Sequence, residues 1–373
     1  MIGNEAELSM GIKIEYLDDV VDVYDITVED NHNFFANNIL VHNCQEIALP
    51  TVPLNSSDDV NGEIALCTLA AINWGLIKQP KDFEVYCDLA VRSLDELLSY
   101  QDYPIIAAYN STMKYRPLGV GVINLAYFLA KRGLKYNDDA LETVDEYAEA
   151  WSYYLIKASN DLAKEKSKCK GCENGTQEIA VKYALGILPI DTYKKEVDSL
   201  VPHKERMDWT SLRADLKIHG IRNATLMALM PAETSAQISN STNGIEPVRS
   251  LVTYKQSKNG ILAQVVPSIT SARVKNSYDL LWDQKSPDGY IKIAAIFQKY
   301  VDQSISVNTS YNPAHYDENE LPFSELLRDL VNTYKYGLKN LYYFNTHDGA
   351  TDEIVDLPHS DIEDQEDCDS CKL

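Results

Sequence analysis

The segment FEVYCDLAVRSLDEL, residues 83–97, indicates how most of the chain folds. Its apolar residues recur every three or four positions, a period that predicts a helix with one buried face. The residues expected on that face are Phe83, Tyr86, Ala90, Leu94 and Leu97. This pattern and those around it mix helices and strands along the chain, which favours the α/β class.

Two further patterns support that class. Asn137–Lys166 is a longer amphipathic segment and is predicted to form a second helix, and the apolar run Asn259–Val266 is predicted to be a buried strand. Thr351–Leu373 differs from both, because it holds nine acidic residues, one lysine and no aromatic residue. Such a segment cannot bury enough apolar surface to fold, so we expect a mobile acidic tail.

The composition limits the classes of function. The 373 residues include 34 Lys and Arg and 56 Asp and Glu, for a formal net charge of −22. A surface so acidic repels phosphate, which argues against nucleic acid or an anionic membrane as a partner. The apolar run Ile64–Ile77 is shorter than the ~20 residues of a membrane span. Seven cysteines and no cationic, apolar leader predict a reduced, cytoplasmic protein.

Residues 1–43 have a pattern of their own. Short runs alternate apolar and polar residues over Gly11–Tyr16, Val21–Val28 and Asn38–His42, which predicts β-strands. Asp30–Asn33 is typical of a turn between them. We therefore expect a small β-rich unit before the α/β part of the chain.

The pair Asn43-Cys44, which follows this unit, can carry out chemistry on the chain itself. An Asn side chain that is pressed onto its own carbonyl carbon cyclises to a succinimide and cuts the chain after itself. A neighbouring His, here His42, can polarise that carbonyl or protonate the leaving amine. A Cys thiol can accept the acyl group as a nucleophile. The alternative is a small β-subdomain with a surface His and Asn.

The upstream residues read VYDITV at 23–28 and HNFFANNILVHNC at 32–44. They resemble the C-terminal splicing motifs of inteins, and Asp25 matches an acidic position often found there. Residues 1–43 as a whole resemble the C-terminal fragment of a split intein, a small all-β element of the Hint type. Splicing would then occur in trans with an N-terminal partner chain. Alternatively, Met1 lies within a longer, contiguous intein.

The intein resemblance implies a role for each residue at the junction. Asn43 cyclises, His42 assists it, and His32 is an auxiliary catalytic histidine. Cys44 is the first residue after the intein and the acyl acceptor.

Eight separated motifs follow the junction. They are CQEIALPT at 44–51, IALCTL at 64–69, WTSL at 209–212, GIRN at 220–223, MPAETS at 230–235, STNGIEP at 241–247, LYYFNT at 341–346 and CDSCKL at 368–373. In this order they closely resemble the C-terminal half of the large, catalytic (alpha) subunit of class I ribonucleotide reductase, over about residues 44–373. The resemblance implies a finger loop, part of a ten-stranded α/β barrel and a terminal α/β region over 44–350, then a redox tail over 351–373.

The reductase resemblance assigns three residues to the reaction on the ribose. Cys44 is the residue that becomes a thiyl radical, and Glu46 is the general base for the 3′-hydroxyl. The two side chains share one side if this stretch is extended. Cys67 is one of two thiols that deliver reducing equivalents. Taken alone, Cys44 and Cys67 would be interpreted as core residues and Glu46 as a solvated surface acid.

The segment Pro231–Ser235 precedes an amphipathic run. Hydroxyls and backbone N–H groups at a helix N-terminus bind phosphate. The resemblance implies that Glu233, Thr234 and Ser235 bind the diphosphate of the substrate. The alternative is a plain helix cap. The family often has Ser where this chain has Ala232, which casts doubt on a side-chain role at that position only.

Two pairs of adjacent tyrosines occur. Tyr342 and Tyr343 are followed by residues 345–349 of the reductase pattern, and the resemblance makes them a radical relay with Tyr342 nearer Cys44. Tyr153-Tyr154 has no such context, so it is interpreted as a packing pair.

The cysteines outside the ribose site form two C-x-x-C pairs and one single residue. Cys368 and Cys371 lie in the acidic tail, and the resemblance makes them the dithiol that reduces the Cys67 disulfide and is itself reduced by thioredoxin or glutaredoxin. A zinc site at the tail pair would need about four ligands, and His359 is the only nearby addition. For Cys169 and Cys172 two interpretations stay open, a loop thiol pair without a known role and a zinc site of four cysteines formed with the tail pair. Cys87 is expected in the core.

The resemblance also implies partners and cofactors. The chain itself holds no metal or cofactor, because the radical comes from the dimetal-tyrosyl small (beta) subunit. Nucleotide effectors bind the N-terminal half of the reductase, the substrate is a ribonucleoside diphosphate, and the spliced subunit is expected to form a homodimer. The alternative is a non-catalytic fragment that binds the small subunit or the other half without splicing.

Overall fold

The computed structural model describes residues 33–36, 39–42, 46–56, 59–172, 178–257 and 260–347. The strands are β1 (Asn33–Ala36), β2 (Ile39–His42), β3 (Thr68–Asn73), β4 (Leu118–Ile123), β5 (Val252–Ser257), β6 (Gly260–Val265), β7 (Thr309–Tyr311) and β8 (Phe344–Thr346). The helices are α1 (Phe83–Tyr100), α2 (Ile106–Tyr115), α3 (Leu125–Ala130), α4 (Asp138–Lys166), α5 (Glu178–Ala184), α6 (Pro189–Thr192), α7 (Trp209–His219), α8 (Glu233–Ile238), α9 (Ala272–Lys275), α10 (Asp288–Gln298) and α11 (Phe323–Lys335).

Parallel pairing organises the strands of the main body. β3 lies parallel to β4, with Thr68 opposite Leu118. A third segment, residues 225–230, pairs with β4, and a fourth, residues 303–307, pairs with the third. β7 continues from the fourth segment and lies parallel to β8. This order of parallel segments separated by helices agrees with the α/β prediction.

The carboxyl ends of these parallel segments carry a network of polar side chains. Asn124, which follows β4, donates from Nδ2 to Asn73 Oδ1 at 2.9 Å, and Asn73 donates to Ser241 Oγ at 2.8 Å. Asn124 Oδ1 accepts the backbone N–H of Thr242 at 3.0 Å. Because carboxyl ends of parallel strands meet at one edge of a sheet, this edge is where side chains of different segments meet. We call it the polar edge.

Helices α1, α4 and α10 form the layer that covers the sheet. Trp74 is fully buried and packs its ring against Phe83, Phe128 and Phe297, with centroids 5.0–5.3 Å apart. Burial of such rings contributes about 2–3 kcal/mol each. The predicted helix over 137–166 is confirmed as α4, which begins after its N-cap Asn137.

Two predictions from apolar patterns need correction. α1 forms as predicted, but Tyr86 and Leu97 are each 43% exposed. The face that packs against α4 and β3 is made of Phe83, Cys87, Val91, Leu94 and Leu98. The helical period was predicted correctly. The buried face differs from the predicted one, because several apolar residues of α1 lie on its exposed side.

The run Asn259–Val266 is not a buried strand. It contains β6, which pairs antiparallel with β5 in a two-stranded sheet. Ala263 and Val265 of β6 and Tyr254 of β5 are exposed. A short apolar run does not distinguish a core strand from a projecting hairpin, because both place apolar residues in succession.

A buried ion pair ties the helices to the start of the third segment. Asp95 of α1 accepts from Arg116 Nε at 2.6 Å and from Asn223 Nδ2 at 3.1 Å. Arg222 lies 3.4 Å from the same carboxylate. Asp95, Arg116 and Asn223 are at most 4% exposed. Loss of one partner of such a buried pair costs about 3–5 kcal/mol, because the other charge is left without compensation.

Asp302, just before the fourth segment, joins that segment to the third. Its carboxylate accepts the backbone N–H groups of Leu226 and Met227 at 2.8 and 2.9 Å and the hydroxyl of Tyr183 at 2.9 Å. Burial raises the pKa of Asp302 to about 6, although these hydrogen bonds oppose the rise. Asp302 and Tyr183 line a cleft of about 600 Å³ that none of the predicted site residues lines.

In the part of the chain that is described, no helix is long and apolar enough to cross a membrane.

The raised pKa of Asp302 predicts a pH dependence of stability. The folded chain binds a proton there more tightly than the unfolded chain, whose Asp pKa is about 3.9. The stabilisation from this proton is complete below about pH 4 and is lost as the pH rises through about 6. The free energy of unfolding falls by about 3 kcal/mol over this range. Urea unfolding at several pH values should show the free energy of unfolding of the wild type falling by this amount relative to Asp302→Asn. A difference between the two proteins that does not change with pH would contradict the prediction.

Candidate active site

Glu46 is buried, with 2% of its surface exposed. Its Oε2 accepts the hydroxyl of Ser306 at 2.6 Å, and its carbonyl accepts the backbone N–H of Ser304 at 2.8 Å. The backbone N–H of Ala48 donates to Gln303 Oε1 at 2.9 Å. The segment that starts at Glu46 therefore runs along the fourth parallel segment, and the interpretation of Glu46 as a solvated surface acid is wrong.

Cys67 lies directly before β3 and is exposed. The alternative of a core residue is therefore wrong for Cys67. The pKa of its thiol is raised, first by partial burial of the sulfur and then by the negative charge of Glu46. Glu46 and Cys67 are therefore close enough to interact electrostatically. Cys44 lies outside the described residues, so its position relative to Glu46 stays a prediction.

Tyr342 and Tyr343 are in direct contact. Their hydroxyl oxygens are 3.3 Å apart and their ring centroids 4.2 Å apart. Tyr342 N–H donates to the carbonyl of Val307 at 2.7 Å, and the carbonyl of Tyr343 accepts the N–H of Thr309 at 2.8 Å. The pair is thus held on the residues that directly follow Ser306, the partner of Glu46.

The second tyrosine pair behaves as predicted. The rings of Tyr153 and Tyr154 lie edge to face with centroids 5.2 Å apart, and Tyr153 packs in the same way against Trp209 at 5.1 Å. These are contacts of a packed helix surface, on α4 and α7, and they confirm the interpretation as a packing pair.

Ser306 and Asn308 belong to the site but were not singled out from the sequence. Asn308 donates from Nδ2 to Glu246 Oε1 at 2.5 Å, and its Oδ1 accepts the backbone N–H of Tyr343 at 3.1 Å. Burial raises the pKa of Glu246, while the hydrogen bond from Asn308 opposes the rise. Ser306, Asn308, Glu246 and Asn243 line a small cavity of about 20 Å³. Glu246 and Asn243 lie in the STNGIEP motif, but Ser306 and Asn308 could have been noticed only as polar residues that alternate with Ile305 and Val307.

Helix α8 begins at Glu233, and its N-cap is Ala232, whose side chain makes no cap. Glu233, Thr234 and Ser235 therefore occupy the first turn and not the N-cap position. Ala232 N–H donates to Asn243 Oδ1 at 3.1 Å, which holds the turn on the polar edge. Glu233 and Ser235 are exposed. The first N–H groups of a helix have no acceptor within it, so this turn presents donors at the polar edge.

The remaining cysteines divide into a core residue and a loop pair. Cys87 is fully buried on α1, which confirms the prediction. The sulfurs of Cys169 and Cys172 are 3.3 Å apart. Among the described residues, no three His, Cys, Asp or Glu side chains are grouped as a metal site. His359, Cys368 and Cys371 lie outside the described residues, so their predicted roles stay predictions.

Most of the junction also lies outside the described residues, including Asp25, His32 and Asn43. The described part is an antiparallel hairpin in which Asn33 of β1 pairs with His42 of β2. The β-run predicted over Asn38–His42 is confirmed for Ile39–His42.

Comparison with known proteins gives consistent matches. Residues 23–344 match the family model described as "Ribonucleotide reductase, barrel domain". The match begins within the segment expected to be an intein fragment. Ribonucleoside-diphosphate reductase subunit alpha of Haemophilus influenzae is 54% identical over 315 residues, 84% of this chain and 41% of the relative. Ribonucleoside-diphosphate reductase 1 subunit alpha of Escherichia coli is 51% identical over 331 residues, 88% of this chain and 42% of the relative. The subunit alpha of Enterobacteria phage T4 is 43% identical over 337 residues, with the same two shares. The chain spans about two fifths of the length of these curated relatives.

The coupling between Glu46 and Cys67 gives a prediction. In Glu46→Gln the negative charge beside Cys67 is absent, so the pKa of the thiol falls and more thiolate is present at pH 8. We expect roughly 2- to 5-fold faster alkylation of Cys67 by iodoacetamide, which corresponds to a few tenths of a pKa unit. The rate is read for the Cys67 peptide by mass spectrometry. Glu142→Gln, on the surface of α4, is the matched control, and equal rates in all three proteins would exclude the coupling.

Proposed function

The chain belongs to the ribonucleotide reductase family, as its barrel domain, and from this premise we propose that it is the C-terminal part of the catalytic subunit of a class I ribonucleoside-diphosphate reductase. The reaction converts a ribonucleoside diphosphate and two thiols into a deoxyribonucleoside diphosphate, a disulfide and water. The observation that carries the proposal is the buried Glu46, which is held by Ser306, coupled to Cys67, and adjacent through Val307 to the tyrosine pair.

Glu46 acts on the 3′-hydroxyl of the ribose. A thiyl radical on Cys44 removes the hydrogen atom from C3′, and Glu46 takes the proton of the 3′-hydroxyl. The 2′-hydroxyl takes up a proton from the thiol pair that includes Cys67 and leaves as water. A base for this step must be close to the sugar and shielded from bulk water. The burial of Glu46 supports that role, and the hydroxyl of Ser306 keeps its carboxylate in one orientation.

Cys67 supplies one of the two electrons and protons that the reaction consumes, together with a thiol of the N-terminal half. The disulfide that results is reduced by Cys368 and Cys371 of the tail, and thioredoxin or glutaredoxin then reduces the tail. The exposure of Cys67 supports this role, because a tail dithiol has to reach its sulfur. Its raised pKa keeps the thiol protonated at neutral pH, as a hydrogen donor must be.

Tyr342 and Tyr343 carry the radical from the small subunit to Cys44. The radical originates at the dimetal-tyrosyl site of that subunit. The 3.3 Å between the two hydroxyl oxygens supports stepwise transfer of an electron and a proton. The backbone N–H of Tyr342 donates to the carbonyl of Val307, which follows Ser306. We therefore assign Tyr342 the position nearer Cys44 and Tyr343 the position nearer the small subunit.

Helix α11 offers a surface for the small subunit. Its exposed apolar residues follow a helical stripe and include some that are more than half exposed. They are Phe323, Leu327, Leu330, Val331 and Tyr334. The helix ends shortly before Tyr342, so a partner docked on this stripe lies near the outer end of the relay.

The first turn of α8 binds the diphosphate of the substrate. Backbone N–H groups of Glu233, Thr234 and Ser235 and the two hydroxyls are the donors, and the carboxylate of Glu233 must then point away from the phosphates. The placement of this turn at the polar edge supports the role.

We further propose that residues 1–43 are the C-terminal fragment of a split intein. The motif from His32 to Cys44 supports this. The N-terminal half of the reductase, with its effector sites, would be joined at Cys44, and the product would form a homodimer. Because Cys44 is both the splicing nucleophile and the radical residue, the enzyme stays inactive until splicing is complete.

The splicing proposal predicts a ligated product. When the chain is mixed with its N-terminal half under reducing conditions, intact mass should show a subunit that lacks both intein fragments and begins its C-terminal part at Cys44. Asn43→Ala should abolish the excised fragment and the ligated product, because cyclisation needs the side-chain amide. Asn38→Ala is a control with the same side chain in the same segment. No ligation with a matched half would leave residues 1–43 without a splicing role and would favour a fragment that only binds its partners.

The reductase proposal is tested independently of splicing with the two halves expressed as one continuous gene. Tyr342→Phe and Tyr343→Phe should each reduce deoxyribonucleotide formation to background in the presence of the small subunit, because phenylalanine cannot be oxidised by a tyrosyl radical. Tyr153→Phe and Tyr154→Phe form the matched control pair and should retain activity. Full activity of Tyr342→Phe would refute the relay. A joined subunit with no activity in the wild type would favour the non-catalytic alternative.

A further inference from the structure

Cys169 and Cys172 lie in a single turn at the end of α4. The helix ends at Lys166, and residues Lys170–Cys172 form one 3-10 turn. The backbone N–H of Cys172 donates to the carbonyl of Cys169 at 3.2 Å and closes the turn. The two sulfurs are 3.3 Å apart, so a small change in side-chain torsion is sufficient to join them.

The turn is attached to the protein on the side away from the polar edge. Cys169 N–H donates to the carbonyl of Ile221 at 2.9 Å, and Cys169 packs with Tyr115, Ala180 and Ala224. Tyr115 precedes β4 and Ala224 precedes the third segment, so the pair is located at the amino ends of these two segments. The reaction proposed above uses neither sulfur.

The two sulfurs are not equivalent. Cys169 is 1% exposed, whereas Cys172 is partly exposed and its sulfur lies 3.7 Å from the carbonyl oxygens of Ala180 and Ile221. The hydrogen bond with Cys172 and burial raise the pKa of Cys169 well above its usual range. Cys172 is therefore the sulfur that an external disulfide can reach, and Cys169 is the one that resolves the product.

We propose that Cys169 and Cys172 form a reversible disulfide, a redox site of this chain that is separate from the Cys67 and tail thiols. The oxidant is a low-molecular-weight disulfide of the glutathione class. The Cys172 thiolate attacks one sulfur of that disulfide and releases one thiolate. Cys169 then loses its proton and attacks Cys172, forming the protein disulfide and releasing the second thiol. Two protein thiols are oxidised by two electrons, and one external disulfide is reduced to two thiols.

The disulfide fixes a turn on which other contacts depend. Arg222 Nη1 donates to the carbonyls of Lys166 and Ser167 at 3.4 and 3.2 Å, at the end of α4 just before the turn. The same Arg222 contacts the buried Asp95. Closing the turn reduces the freedom of this segment in the unfolded chain, so the oxidised protein unfolds at a higher temperature than the reduced one.

The experiment uses the full chain with Cys368→Ser and Cys371→Ser, so that the tail cannot form a competing disulfide. The protein is equilibrated with mixtures of reduced and oxidised glutathione, free thiols are blocked with iodoacetamide, and the chain is digested with trypsin. Trypsin cuts after Lys170, so a disulfide is detected as two linked peptides, one with each cysteine. We expect these linked peptides to appear as the oxidised fraction rises and to disappear with dithiothreitol.

Two variants and one additional measurement identify the bond. Cys169→Ala should leave Cys172 as a stable glutathione adduct, and the melting temperature should rise by a few degrees on oxidation only when both cysteines are present. A wild-type turn that stays fully reduced, or that accumulates the mixed adduct at Cys172, would overturn the proposal. One zinc ion per chain, bound in the reduced protein with an intact tail and lost in Cys169→Ala, would replace it with a metal site.

Discussion

Backbone hydrogen bonds between parallel segments determine where Glu46 and the tyrosine pair of the proposed site lie. Because the third and fourth segments are in register, with Leu229 opposite Ile305, Ser306 is placed where it can hold Glu46. Val307, the next residue, accepts the backbone N–H of Tyr342, so Glu46 and the tyrosine pair are connected through Ser306 and Val307, two successive residues of one segment. A register shift of one residue would turn Ser306 to the other face and separate Glu46 from its partner.

The buried carboxylates of the chain have different kinds of partner. Asp95 and Asp145 are held by cations, Arg116 in one case and Lys299 in the other. They hold helices together. Glu46 is bound by a serine hydroxyl, which can stay in place whether the carboxyl group is charged or neutral. A serine hydroxyl beside the carboxylate is compatible with the role of base that we propose for Glu46.

The sequence predicted the positions of the long helices better than it predicted which of their faces are buried. The helical period located α1 and α4, but it could not show that Val91 and Leu98 are buried while Tyr86 is exposed, because α1 carries apolar residues around most of its circumference. The resemblance to the reductase motifs singled out Glu46, which alone would have been interpreted as a surface acid. The motifs could not identify Ser306, because its contact with the carboxylate of Glu46 is formed only when the segments pair in the folded structure.

The tyrosine pair shows why proximity in sequence is insufficient for a relay. In a regular strand, adjacent side chains point to opposite faces, so two neighbouring tyrosines would be on opposite sides of the sheet. β8 begins only at Phe344, and Tyr342 and Tyr343 precede it in irregular backbone that is held by Val307, Asn308 and Thr309. That irregularity allows the two hydroxyls to meet. Extending β8 by two residues would keep both tyrosines and every local strand preference, but it would break the contact on which the proposed relay rests.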